Sequence, residues 1–200
     1  MKTRTTITFD RRPNADRKDG SPRYVLTTGD GDTVEVRRGV PDGWPLPRGA
    51  KPRFSLYAEG NASVPLAVVV RDGQRLAVFD SGHHLLAELR LPPKKQRWRP
   101  AHEIHLPDGG VIRGREGTVP SLVLWVLLLP LVVLYYVVIA LSDSPAGTLS
   151  SPLRTAWKPV GGTGGGTVMT ESARGRFRVR GDRLDRRIGY AQAVAKYWRG

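Results

Sequence analysis

Through the first half of the chain, apolar and polar positions alternate in short runs, and Asp/Gly turns punctuate them. In TRTTITF, residues Thr5, Ile7 and Phe9 share one face of an extended segment. RYVLTT and TVEVRR flank the turn GDGD at residues 29–32, and Val34 and Val36 alternate with Thr33, Glu35 and Arg37. RFSLYA repeats the period with Phe54 and Leu56. The pattern is plainest in PLAVVVRDGQRLAVFDSGHHLLAELRL, where Asp72-Gly73 and Asp80-Ser81-Gly82 separate three apolar runs. HEIHLPDGGVIRGR adds a further pair around Asp108-Gly109-Gly110. Asp-Gly between alternating runs predicts tight hairpins, because the primed turns need positive φ, which these residues tolerate. The result is a mainly β N-terminal domain over residues 1–119. It is an antiparallel meander of about eight strands, forming a small sandwich or barrel. The Gly/Pro-rich stretch at residues 39–52 interrupts it as a surface loop.

A different pattern follows in PSLVLWVLLLPLVVLYYVVIALS, residues 120–142, with no charged side chain between Gly117 and Ser142. A helix running from Leu122 to Leu141 spans about 30 Å, the thickness of a hydrocarbon core. Backbone surrounded by lipid must satisfy its own hydrogen bonds, so the segment predicts a single transmembrane helix. Pro130 would kink it, and Trp125, Tyr135 and Tyr136 would form its aromatic belt. No signal peptide precedes residue 119 in this sequence. The expected placement is therefore a single-pass protein of the cell membrane with a cytoplasmic N-terminal domain and an external tail. The competing arrangement is a re-entrant segment hinged at Pro130, with both flanks on one side.

Beyond the apolar run, residues 143–173 read as a Gly/Ser/Pro-rich linker. Its GGTGGG lacks the Lys-Ser/Thr that a phosphate loop requires. Residues 174–200 predict a basic strand, RFRVR, and then one C-terminal amphipathic helix in which Leu184, Ile188, Ala191, Ala195 and Trp198 share a face. Residues 1–119 hold 21 Lys and Arg against 14 Asp and Glu, whereas residues 143–200 hold 11 against 4. The tail is thus the denser in positive charge, and it favours anionic lipid headgroups as neighbours. Arg176, Arg178, Arg180, Arg186, Arg187 and Trp198 are the candidate lipid contacts. Placing the most basic region outside the cell conflicts with the positive-inside tendency.

The absence of cysteine excludes disulfides, thiol catalysis and zinc-thiolate or iron–sulfur sites. His102 and His105 in HEIH fall on opposite faces of a strand, and the spacing is not that of a helical zinc motif. Neither a nucleophile elbow nor an isolated carboxylate pair is present. The expectation is a non-enzymatic chain with no catalytic residue, metal or cofactor. Nucleic acid is disfavoured, since neither a recognition helix nor a basic sheet with stacked aromatics is evident. Two functions remain. One is a single-pass scaffold, adaptor or regulator that presents the β domain to an unidentified protein partner. The other is an anionic-lipid-binding or lipid-handling barrel whose central segment is re-entrant.

Overall fold

The computed structural model of the chain describes residues 4–10, 24–61, 63–93, 100–117, 123, 126–131, 133–134, 154–161, 166–172 and 175–198. Its strands are β1 (Arg4–Asp10), β2 (Tyr24–Thr28), β3 (Thr33–Arg38), β4 (Lys51–Ala58), β5 (Pro65–Asp72) and β6 (Arg75–Phe79). They continue as β7 (Leu85–Arg90), β8 (Ala101–His105), β9 (Val111–Glu116), β10 (Thr155–Pro159), β11 (Met169–Glu171) and β12 (Phe177–Arg180). Each pairs with its neighbour in the chain, antiparallel throughout, and β1 closes on β12 to complete a barrel. Ile7 shows the closure, lying opposite Phe177 on one side and Thr28 on the other.

Period-two alternation explains the lumen. Ile7, Leu26, Val34, Val36, Phe54, Leu56, Val69, Val78, Leu89 and Ile104 are buried and belong to one core. Gly73 and Gly109 adopt positive φ (57° and 85°) at the β5–β6 and β8–β9 turns, as the Asp-Gly signals require. Outward positions carry charge instead, among them Glu35, Arg37, Glu88, Glu103 and Arg113. An apolar interior with a charged exterior is the reverse of the pattern of a membrane-embedded barrel.

A C-terminal helix, Arg186–Tyr197, fills that interior. Every residue from Ile188 to Ala195 is buried, about two full turns covered on all faces. The helix packs against β5, β7 and β12. Small side chains make this fit possible: Ala191, Ala193 and Ala195 are buried, and a Cβ on Gly189 would lie 2.7 Å from Cγ2 of Val179. Asp185 caps the N-terminus, its Oδ1 accepting from the Arg187 backbone N–H at 2.8 Å. The Arg187 guanidinium clamps the same carboxylate at 2.7 Å. Burial alone would raise the Asp185 pKa, but hydrogen bonds from Arg187 hold it below the usual value. At the other end Trp198 is buried, with its ring 5.0 Å from that of Phe54.

Three expectations are corrected. The C-terminal helix lies inside the barrel rather than as a separate unit in the tail. Two strands, β10 and β11, lie within the stretch read as linker. The single-pass transmembrane arrangement, and with it the cell-membrane placement, also falls. Among the described residues no helix is long and apolar enough to cross a membrane. Strands before and after the apolar run close one barrel, so they cannot sit on opposite sides of a bilayer. The earlier conflict over a basic external tail disappears with that topology. Leu122, Trp125, Tyr135, Tyr136 and Leu141 lie outside the described residues; Pro130 is helical and exposed.

Candidate functional site

The apolar run enters and leaves the barrel at a single point on its rim. Glu116 at the end of β9 pairs with Thr155 at the start of β10. One residue further out, the Gly117 N–H donates to the Arg154 carbonyl at 3.1 Å. Between these hydrogen-bonded residues the chain is helical at Val123, 126–131, Val133 and Leu134. Val126, Leu127 and Leu131 are 65%, 69% and 61% exposed, and Val123, Val133 and Leu134 are exposed as well. Successive helical positions point in different directions, so this exposure is not confined to one face; Leu128 alone among the described helical residues of this run is half-buried. Aliphatic side chains exposed to this extent form an apolar surface patch of the kind found at interaction sites.

Next to this root lies a basic outer face. Alternation turns Arg113 and Arg115 on β9, Lys158 on β10, and Arg178 and Arg180 on β12 away from the core, while Ile112, Gly114, Trp157 and Val179 turn inward. Arg154 and Arg176, just before β10 and β12, are exposed. Glu103 is the carboxylate that ties down Arg113, at 2.7 Å, and it also meets His105 at 3.2 Å. Burial alone would raise the Glu103 pKa; the Arg113 and His105 contacts outweigh it and lower the value. Closely spaced cations of this kind attract anionic surfaces.

The sequence-derived lipid contacts divide into two groups. Arg176, Arg178 and Arg180 gather on the outer face around β12. Arg186, Arg187 and Trp198 are occupied elsewhere. Arg186 approaches Asp30 at 3.7 Å, Arg187 holds the helix cap, and Trp198 packs on Phe54. Local periodicity could not separate these groups, because the division depends on the helix lying in the lumen.

Two polar sets, one part-buried at the rim and one buried, had no sequence signal. Lys196 donates to Glu116 Oε1 and Glu171 Oε2, both at 2.6 Å, and the Tyr197 hydroxyl donates to Glu171 Oε1 at 2.6 Å. The helix is thereby tied to the rim residue next to the root of the apolar run. Deeper in the lumen, Gln192 Nε2 donates to His102 Nδ1 at 3.3 Å. Burial, with the Lys196 charge as a second cause, lowers the His102 pKa to about 3, so the ring is neutral. His105 points outward to Glu103, so the two histidines do face opposite ways. Among the described residues no group of three or more His, Cys, Asp or Glu could hold a metal ion.

In comparisons with known proteins, the chain matches no family model, no curated protein and no solved structure.

Proposed function

We propose that the chain is a non-enzymatic barrel that binds anionic lipid surfaces without crossing them. The observation that carries this reading is the exposed apolar helical residues between Val123 and Leu134, in a stretch whose flanking residues Gly117 and Arg154 are hydrogen-bonded to each other on the barrel rim. A segment that leaves and returns at one point can place its apolar side chains in the near leaflet while the barrel stays outside. Arg115, Arg154, Arg176 and Arg178 beside that root then face the headgroups, where each cation near the surface contributes about 1 kcal/mol. Burying Leu127 and Leu131 adds about 1.5–3 kcal/mol for each side chain. The two contributions act together, as stable peripheral attachment commonly requires. The C-terminal helix supports the platform, since its own side chains occupy the lumen.

Vesicle flotation tests the proposal. The full chain should float with vesicles containing an anionic lipid, more weakly with neutral vesicles, and less as ionic strength rises. Leu127→Glu with Leu131→Glu should abolish flotation while the near-ultraviolet circular dichroism of the barrel is unchanged. Flotation of the double variant at the parent level would overturn the reading.

A further inference from the structure

On the outer wall of the barrel, Gly166 lies against two guanidinium groups. A Cβ there would stand 2.6 Å from Nη1 of Arg183 and 3.5 Å from Nη1 of Arg180. Beside them opens a cavity of about 280 Å³, lined by Arg154, Thr167, Thr170, Arg178 and Arg180 among others. The backbone holds these groups in place. The Arg180 N–H donates to the Val168 carbonyl at 2.9 Å, the Arg183 N–H donates to the Arg180 carbonyl at 3.0 Å, and Thr170 pairs with Arg178 across β11 and β12.

Their charges are poorly offset. Nε of Arg180 is buried without a hydrogen-bond acceptor, and the carboxylate that approaches it, on Asp182, stays 3.7 Å away. Among the described residues Arg154 and Arg178 form no ion pair. Guanidiniums held this close repel one another, and an anion seated between them relieves the repulsion and satisfies the open donors. The cavity is also too small and too polar for an acyl chain.

We propose that this cleft binds a phosphoryl group, and specifically a phosphomonoester. Arg154, just before β10, and Arg178 and Arg180 on β12 line the cleft together, which suits a dianion with three terminal oxygens, whereas a planar carboxylate offers only two. The Thr167 and Thr170 hydroxyls add neutral donors. The Arg154 carbonyl also accepts from the Gly117 N–H on the rim where the chain leaves the barrel toward the apolar run, so a headgroup in the cleft would belong to a lipid in the leaflet that this run enters. This lipid source rests on the function proposed above; a free phosphomonoester would share the same chemistry.

The test uses the full chain with three probes: glycerol 3-phosphate in solution, and phosphatidate or phosphatidylglycerol vesicles at matched surface charge. Phosphatidate should be preferred by about ten-fold. Arg178→Gln and Arg180→Gln should each remove that preference. Lys158→Gln, which deletes the same charge outside the cleft, should keep it. Equal loss in all three variants, or no preference in the parent, would overturn the proposal. Arg178 is exposed, so its variant reports on binding even if Arg180→Gln disturbs the fold. Binding of glycerol 3-phosphate with competition against vesicles identifies a free phosphomonoester as an accepted source, and preference on vesicles alone identifies the lipid. If vesicles bind through the apolar helix without a phosphatidate preference, the cleft assignment fails and the lipid reading stands. If glycerol 3-phosphate binds and no vesicle does, the cleft stands and the lipid reading fails.

Discussion

Mild acid should loosen this barrel through a single side chain, His102. It is 4% exposed, it accepts a hydrogen bond from Gln192, and burial lowers its pKa from 6.5 to about 3. In the unfolded chain the imidazole takes up a proton near pH 6.5, whereas in the barrel it does not until near pH 3. The unfolded state therefore binds more protons between those values. The stability that the neutral ring contributes is fully present above pH 6.5 and is lost as the pH falls toward 3. Between pH 7 and pH 5 this linkage amounts to a loss of about 2 kcal/mol. Asp80, Glu103 and Asp185 have lowered pKa values, so they stay ionised in the barrel across that window. Urea unfolding of the full chain at pH 7 and pH 5 measures the effect, with His102→Gln as the control. The parent should lose about 2 kcal/mol and the variant far less. Equal losses in parent and variant would refute the argument.

Other expectations follow from packing. Trp157 is fully buried over Gly114, and a Cβ at that glycine would overlap the indole, so Gly114→Ala should destabilise by about 1–3 kcal/mol in chemical denaturation. Lys196→Met leaves Glu171, whose side chain is 5% exposed, without its cation; a loss of about 3–5 kcal/mol is expected, smaller when Glu171→Gln is added. Asp185→Ala removes the helix cap and should cost about 1 kcal/mol, read as a lower unfolding midpoint.

Much of the meander was legible because its signals are local. The runs around Asp72-Gly73 and Asp108-Gly109 became the β5–β6 and β8–β9 hairpins. The inward faces named by alternation, Val34 with Val36 and Phe54 with Leu56, are buried. What escaped was non-local. β9 pairs with β10 across the whole apolar run, and β11 is only Met169–Glu171, too short to show a period. The C-terminal helix misled for a physical reason. Its alanines and Gly189 weaken any one apolar stripe, which suits a helix enclosed on all sides but resembles a poor amphipathic one. Arg178 and Arg180 were singled out for their charge, whereas their convergence with Arg154 and Arg183 exists only once the barrel has closed.

Closure also governs how the protein is made. β1 has no partner on one side until β12 arrives, and the lumen stays empty until the helix that follows β12 has been synthesised. On the ribosome the early strands must therefore wait, with an open edge and an unfilled interior, while the apolar run and the remaining strands emerge. A chain stalled before β12 would expose both liabilities together, which makes this barrel a candidate for chaperone protection late in its own translation.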